Sequence, residues 1–185
     1  MNRHPFMARR EDSLLLVIDI QQAMLKVVED WEEVTRKVNQ LTRAADLLDV
    51  PVVLTEQYPK GLGATIPQVM EAVRSPTVHH KEHFSACGEE GFVEALRSLD
   101  RPRVILVGME AHVCVLQTGL DLIHAGFHVQ VAADAVSSRT PFNRDAGIQL
   151  LRQAGAVVTT AEIVMFQWIH RSNTEEFRKV HPILK

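Results

Sequence analysis

Three side chains that can take part in nucleophilic attack and proton transfer stand at comparable points of the sequence. Asp19 lies at the end of the apolar run LLLVIDI, Lys81 ends the segment TVHHK, and Cys114 follows the run RVILVGM. A cysteine attacks as its thiolate, a carboxylate can accept the thiol proton, and an ammonium can offset the resulting negative charge. The three residues therefore have the chemistry of a cysteine hydrolase, provided that the fold brings them together.

The position of Cys114 in the chain supports this interpretation. The cysteine opens an apolar-periodic segment, and the N-terminus of a helix favours a thiolate through its free N–H groups and its dipole. We therefore expect the helix and Lys81 to lower the pKa of Cys114. The free N–H groups of the turn over residues 110–114 are suited to bind a developing oxyanion.

Each of the three residues also has an ordinary structural interpretation. A lone cysteine in an apolar helix is often a small buried hydrophobe. An aspartate at a strand end often caps the following turn, and a lysine after a strand is often a solvated charge. These alternatives stay open at the level of single residues, and the shared position at strand ends favours the chemical interpretation.

Apolar runs predicted as strands alternate with amphipathic segments predicted as helices along the whole chain. The first helix is predicted over residues 29–48, and Val113, Leu116, Leu120 and Ile123 mark the helix after the fourth strand. This alternation predicts an α/β fold of three layers: a doubly wound, six-stranded parallel sheet with helices on both faces, in a single domain over residues 1–185. In such sheets the ligand site lies beyond the carboxyl ends of the strands. The predicted strands cover residues 14–20, 50–56, 77–81, 103–109, 128–134 and 156–162.

Composition and charge narrow the classes of partner. The net charge is −3 with no basic stripe, which argues against a nucleic-acid partner. No apolar run approaches the ~18 residues of a membrane span, and no signal peptide is expected at the start. Cys87 and Cys114 are too few for a disulfide framework, so we expect free thiols in a reducing compartment and a cytoplasmic location.

Three stretches of the sequence resemble the motifs of the isochorismatase-like cysteine hydrolases, a family that includes nicotinamidases. They are VIDIQQAML, KEHFSACG and GMEAHVCVLQTGLDLIHAGF, and TEQYPKGLG adds a likeness to the isochorismatase domain-containing subgroup. The resemblance implies a catalytic triad of Asp19, Lys81 and Cys114, with the backbone N–H groups of Glu110 and Cys114 as an oxyanion hole. It also implies an acyl-enzyme that water hydrolyses, a frequent cis bond between Met109 and Glu110, and a homo-oligomer, dimer or larger.

The sequence departs from the nicotinamidase pattern where those enzymes bind metal. Glu56 and Tyr58 stand at the positions of the family's Asp-x-His ligands. We therefore expect no metal and no other cofactor, and a small-molecule substrate other than nicotinamide. Candidates to line the substrate pocket are Gln21, Glu56, Tyr58, Phe84 and His112.

Other polar residues are candidates for metal binding, for a pair with the cysteine or for a turn cap. The segment HHKEH places His79, His80 and His83 close together, but at a strand end and without the H-E-x-x-H order of a helical zinc site. His112 could pair with Cys114, although a surface histidine at a helix start is the simpler interpretation. Asp134 is expected to cap a turn.

The residues and the resemblance together predict a metal-independent cysteine hydrolase that acts on a small amide, ester or imine-like substrate. Two alternatives remain open at this point. One is an isochorismate-type or nicotinamide-type hydrolase on the same scaffold. The other is a non-catalytic interaction module that retains the triad, because a fold alone does not fix a function.

Overall fold

Six parallel strands form one sheet in the computed structural model, which describes residues 3–184. Their spatial order is β3-β2-β1-β4-β5-β6, so the chain winds outward from β1 in one direction and then from β4 in the other. The strands are β1 (Ser13–Ile18), β2 (Val52–Gln57), β3 (Thr77–Lys81), β4 (Arg103–Met109), β5 (His128–Ser137) and β6 (Val157–Thr159).

Helices cover both faces of the sheet, which confirms the predicted doubly wound, three-layer α/β class. One apolar cluster joins α1, α3, α7 and α8 to one face, and a second joins α4, α5 and α6 to the other. Among residues 3–184, no helix is long and apolar enough to cross a membrane. The helices are α1 (Trp31–Leu47), α2 (Pro59–Leu62), α3 (Pro67–Met70), α4 (Phe92–Ser98), α5 (Cys114–His124), α6 (Pro141–Gln153), α7 (Ala161–Ile169) and α8 (Glu175–Val180).

The strand β1 shows why this sequence forms a covered central strand. All six of its residues are buried. Leu15 and Val17 pack into the cluster under α1, whereas Leu14, Leu16 and Ile18 pack into the cluster under α5. Successive side chains of a strand point to opposite faces, so a continuous apolar run is what a sheet with helices on both faces requires.

Several predicted elements have other bounds in the structure, among them the sixth strand. It ends at Thr159 rather than at residue 162, because Thr160 caps α7 by accepting a hydrogen bond from Ile163 N at 3.3 Å. Of the residues predicted to mark the helix after β4, Leu120 is 37 % exposed, whereas Val113, Leu116 and Ile123 are partly buried against the core. The most buried residues of α5 are Cys114, Val115, Thr118, Gly119 and Leu122.

A close approach of β4 to β1 shapes the edge of the sheet where the predicted site residues lie. Gly108 has φ +117°, and a side chain there would collide with the carbonyl oxygen of Ile18. The pairing of β4 with β5 also shifts its register between Leu106 and Gly108. Glycine at this position therefore lets the ends of β1 and β4 lie side by side.

Candidate active site

The register of the parallel strands brings Asp19 and Lys81 to the same edge of the sheet. Ile18 of β1 lies beside Thr55 of β2, and Gln57 of β2 lies beside Lys81 of β3. Asp19 follows Ile18 directly, so both charged residues stand at the carboxyl ends of the two strands that flank β2. This is the edge at which parallel α/β sheets bind their ligands.

Asp19 is held in an unusual backbone conformation by its neighbours. Its φ is +49°, and its side chain is only 3 % exposed. Its N–H donates to the carbonyl of Thr55 at 3.2 Å, and Thr55 Oγ1 donates to Asp19 Oδ1 at 2.7 Å. A left-handed residue other than glycine costs of order 1–3 kcal/mol, and such residues cluster at functional sites. The strain at Asp19 therefore marks this position as a functional candidate.

Lys81 supplies the positive charge beside this carboxylate. Its Nζ lies 2.8 Å from Asp19 Oδ2, and its side chain is 1 % exposed. The same ammonium donates to Gln57 Oε1 at 2.6 Å and to the carbonyl of Phe84 at 3.1 Å. Asp19 Oδ2 has no hydrogen-bond partner among the described residues. Oδ2 is thus an ion-pair partner that can still accept a proton.

The loop after β3 holds Lys81 in place and is itself fastened to α5. Glu89 Oε1 accepts hydrogen bonds from the N–H groups of Glu82 and His83, at 2.8 and 3.0 Å. Ser85 Oγ donates to Asp121 Oδ2 at 2.6 Å, which ties the loop to the helix that carries the cysteine. One helix therefore positions both the thiol and the loop around the ammonium.

Cys114 is the first residue of α5, and its thiol lies against the Asp19–Lys81 pair. The residue is 7 % exposed. Burial, together with the Asp19 carboxylate, raises the pKa of the Cys114 thiol to about 12, although Lys81 acts to lower it. The expectation of a lowered pKa is therefore wrong: the charge of Lys81 is balanced by Asp19, and burial penalises the thiolate. The resting thiol is protonated, and its activation requires a proton acceptor.

The turn between β4 and α5 presents free backbone donors beside the cysteine. The Met109–Glu110 peptide bond is cis. The N–H groups of Val113 and Val115 both donate to the carbonyl of Glu110, at 3.0 and 3.2 Å, and Ala111 N donates to the carbonyl of Ser137. Within residues 3–184, the N–H group of Glu110, which lies between β4 and α5, donates to no backbone carbonyl. The N–H group of Cys114 donates to no backbone carbonyl outside α5. They are therefore available to a ligand oxygen.

The buried Glu110 carboxylate forms an ion pair with Arg139, whose side chain is 58 % exposed. The carboxylate accepts hydrogen bonds from Arg139 N, Nε and Nη2 at 2.9, 3.0 and 2.7 Å. Burial acts to raise the pKa of Glu110, but the hydrogen bonds and charge of Arg139 outweigh it and hold the pKa below its usual range. The carboxylate is therefore ionised and fixed.

Two of the predicted pocket residues serve the loop architecture instead. Gln21 is fully buried, and its amide bridges the backbone of Gln57 and the carbonyl of Gly63. Glu56 points to the face of β2 opposite Thr55 and Gln57, where it accepts a hydrogen bond from Thr65 N at 2.7 Å and meets His80 at 3.3 Å. A strand alternates its faces with every residue, so Glu56 is directed away from the Asp19–Lys81 pair.

The other three pocket candidates lie on segments that border the site. Tyr58 and Phe84 are 51 % and 55 % exposed, and both flank Lys81: Tyr58 N donates to the carbonyl of Lys81, and the carbonyl of Phe84 accepts from its ammonium. His112 Nδ1 lies 3.0 Å from Ser138 Oγ, so its partner is a serine rather than Cys114. Tyr58 and Phe84 therefore adjoin Lys81 through their backbone, and their rings are exposed.

Comparison with known proteins identifies the family to which this arrangement belongs. A family model described as the isochorismatase domain matches residues 13–163. The chain belongs to the isochorismatase family. It is 37 % identical over 179 residues to the secreted isochorismatase effector Isc1 of Phytophthora sojae, covering 94 % of this chain and 84 % of the relative.

Two further members of the comparison support the same assignment. The chain is 35 % identical over 173 residues to isochorismatase domain-containing protein 2 of Danio rerio, covering 93 % of this chain and 86 % of the relative. The structure of a protein named MAR1 ribonuclease from Caenorhabditis elegans superposes with a TM-score of 0.91 and 36 % identity, over 96 % of this chain and 91 % of that one. The resemblance to the isochorismatase domain-containing subgroup is thereby confirmed.

In this isochorismatase-family chain, His79, His80 and His83 each have a different partner. His79 stacks edge-on against Phe92, with ring centroids 5.1 Å apart, His80 meets Glu56, and His83 meets Glu89. Among the described residues, no group of three or more His, Cys, Asp or Glu side chains could hold a metal ion. At the end of β2, both oxygens of the Glu56 carboxylate already have partners, Thr65 N and His80 Nε2.

Sequence reasoning missed three side chains that the structure places around the site. Thr55 and Gln57 lie two residues apart on β2 and therefore share the face that meets Asp19 and Lys81. That period of two is visible in the segment LTEQY, in which Glu56 lies on the opposite face. Arg139 gave no local signal, because its partner Glu110 is 29 residues away in the chain.

Proposed function

We propose that this isochorismatase-family protein is a metal-independent cysteine hydrolase that acts on a small amide, ester or imine-like substrate. The observation that carries the proposal is the Cys114 thiol buried against the Asp19–Lys81 pair, at the start of a helix with free N–H groups. A buried ion pair beside a thiol is costly to maintain for stability alone, since apolar residues of similar volume often serve as well.

In the proposed mechanism Asp19 Oδ2 accepts the thiol proton as Cys114 Sγ attacks the substrate carbon. Lys81 offsets the negative charge that the group of three then carries. The N–H groups of Glu110 and Cys114 donate to the oxygen of the tetrahedral intermediate. The C–N or C–O bond breaks, the leaving group takes the proton from Asp19, and water then hydrolyses the thioester and restores the thiol.

A screen of small amides and esters with the wild-type protein beside Cys114→Ala tests this proposal. We expect hydrolysis of at least one compound by the wild type, and its loss in Cys114→Ala with the fold intact by circular dichroism. Cys87→Ser is the matched control, because it alters the other free thiol and should leave hydrolysis unchanged. Equal rates for wild type and Cys114→Ala would contradict the proposal and favour a non-catalytic role.

Isochorismate hydrolysis is the second candidate, favoured by the name of the Phytophthora relative. Isochorismate, nicotinamide and a short RNA belong in the same screen, the last because of the name of the C. elegans structure. Activity on isochorismate that survives Cys114→Ala would select this candidate over the cysteine mechanism.

We also propose a cytoplasmic location and a homo-oligomer, dimer or larger. The two free thiols support a reducing compartment. Exposed apolar rings support association between copies of the chain: Phe142 is 82 % exposed and Phe166 is 46 % exposed. Molar mass from light scattering tests the oligomer, and a monomer would contradict it.

A further inference from the structure

The backbone of Glu110 is fixed on every side except its own N–H group. Its carbonyl accepts two N–H groups from the start of α5, and the next peptide, at Ala111, is bonded to the end of β5. Its carboxylate accepts three donors from Arg139, one from the backbone and two from the side chain. The Glu110 N–H therefore points in a direction that the side chain helps to set.

The Glu110–Arg139 pair differs from the surface ion pairs of this protein in the burial of its carboxylate. The Glu110 side chain is 5 % exposed and that of Arg139 is 58 % exposed, and two guanidinium nitrogens, Nε and Nη2, donate to the two carboxylate oxygens. A planar guanidinium held through two parallel hydrogen bonds fixes orientation as well as distance. The pair Arg36–Glu33 makes the same fork, but both of its side chains are exposed, 51 % and 56 %, and exposed pairs contribute little to stability.

We propose that Arg139 is a positioning residue, which holds the Glu110 peptide so that its N–H donates to the oxyanion formed during attack by Cys114. This inference rests on the proposed function. Arg139 lies two residues beyond the end of β5, so the strand that binds the Ala111 peptide also leads directly to the residue that holds the Glu110 carboxylate. The residue acts on carbonyl chemistry at the site through Glu110, without contact with the reacting atoms.

A single pair of reagents separates this role from a general effect on the thiol. The ester p-nitrophenyl acetate acylates a cysteine through a tetrahedral oxyanion: the C–S bond forms, the C–O bond breaks and p-nitrophenolate leaves. Iodoacetamide alkylates the same sulfur by displacement of iodide, with no oxyanion. The ratio of the two rates at Cys114 therefore reports on oxyanion stabilisation alone.

The pKa of the thiol supports this choice of readout. The largest influences on the pKa of Cys114 are its burial, Asp19 and Lys81. Loss of Arg139 should therefore leave alkylation unchanged while acylation slows.

The experiment uses Arg139→Ala, Arg139→Lys and Glu110→Gln in a Cys87→Ser background, so that Cys114 is the thiol measured. We expect Arg139→Ala to lower the acylation rate about tenfold or more, since removal of an oxyanion donor costs 10²- to 10³-fold and a loosened donor costs less. Alkylation should stay within twofold. Arg139→Lys should restore part of the acylation rate, because it keeps the charge without the fork. The acylation rate of Glu110→Gln should lie between those of Arg139→Ala and Arg139→Lys.

The matched control is Arg36→Ala, which breaks an exposed pair on α1 and should leave both rates unchanged. Circular dichroism establishes that each variant is folded, and Arg139→Lys and Glu110→Gln carry the test if Arg139→Ala does not fold. Acylation and alkylation that fall equally, or acylation that stays within twofold of the parent, would overturn the positioning role. Acylation of the parent no faster than that of Cys114→Ala would instead overturn the proposed function, and this inference with it.

Discussion

Replacement of Lys81 by methionine should destabilise the protein far more than replacement of Asp19 by asparagine. In Lys81→Met the Asp19 carboxylate, with its side chain 3 % exposed, keeps only Thr55 Oγ1 as a side-chain partner. In Asp19→Asn the ammonium keeps three acceptors: Gln57 Oε1 and the carbonyls of His83 and Phe84. The asymmetry follows from the number of partners that remain around each charge.

The expected losses in the free energy of unfolding follow from the burial of the two charges. Removal of one partner from a buried ion pair costs about 3–5 kcal/mol, which we expect for Lys81→Met. Asp19→Asn should cost about 1–3 kcal/mol, the range for a weakened buried hydrogen-bond network. The double variant should be at least about 2 kcal/mol more stable than Lys81→Met, because it buries no charge. For a chain of this length, the Lys81→Met loss corresponds to a drop of roughly 6–20 °C in Tm.

Urea unfolding and thermal unfolding of the two single variants and the double variant measure this cycle. Arg36→Met is the control, since its exposed pair with Glu33 should contribute under about 1 kcal/mol. The loss in Lys81→Met should shrink as the pH falls, because the folded variant then gains a proton at Asp19 before the unfolded chain does. A loss under about 1 kcal/mol in Lys81→Met, or a double variant no more stable than Lys81→Met, would refute the buried-pair account.

Three further outcomes are expected. Asp19→Asn should shift the pH profile of Cys114 alkylation to lower pH, and Lys81→Ala should shift it to higher pH. The reason is that Asp19 raises and Lys81 lowers the pKa of the thiol, which is about 12 in the wild type. Equal profiles would contradict the contact of the thiol with these two residues. On an identified substrate, Asp19→Asn and Lys81→Ala should each lower turnover at least a hundredfold, the double variant little further, and His112→Ala only a few-fold; an inactive His112→Ala beside an active Lys81→Ala would replace the triad by a Cys–His pair. Elemental analysis of protein purified without added metal should show no stoichiometric zinc, iron or manganese; one equivalent lost together with activity on chelation would contradict this.

The centre of the sheet was predictable because β1 and β4 are continuous, fully buried apolar runs. The third and fourth strands were predicted with the bounds that the structure has, Thr77–Lys81 and Arg103–Met109. The buried residues of α5 were not predicted in full, because they include Thr118 and Gly119. Thr118 Oγ1 accepts a hydrogen bond from Ala86 N, and a side chain at Gly119 would meet Leu151. Burial of a polar or small residue depends on its partner, which an apolar pattern does not record.

The candidate site was predictable in its residues and not in its electrostatics. Position at strand ends was enough to group Asp19, Lys81 and Cys114, because parallel strands share an edge. The pKa of Cys114 was predicted in the wrong direction, since desolvation is a property of the packed fold. Arg139 escaped because β5 runs to Ser137, three residues past its predicted end, and so carries the arginine to the turn beside the cysteine.

The central claim is that Cys114 is the nucleophile, although burial raises its pKa to about 12 and that of the more exposed Cys87 only to about 11. The most direct test is peptide mapping by mass spectrometry after brief exposure to p-nitrophenyl acetate at pH 7 and an acid quench. Thiolate fraction and exposure alone would place the acetyl group on Cys87, whereas proton transfer to Asp19 and an oxyanion hole place it on Cys114. The account predicts one acetyl group on Cys114 that disappears with time as water hydrolyses the thioester. An acetyl group mainly on Cys87, or none on Cys114, would contradict it.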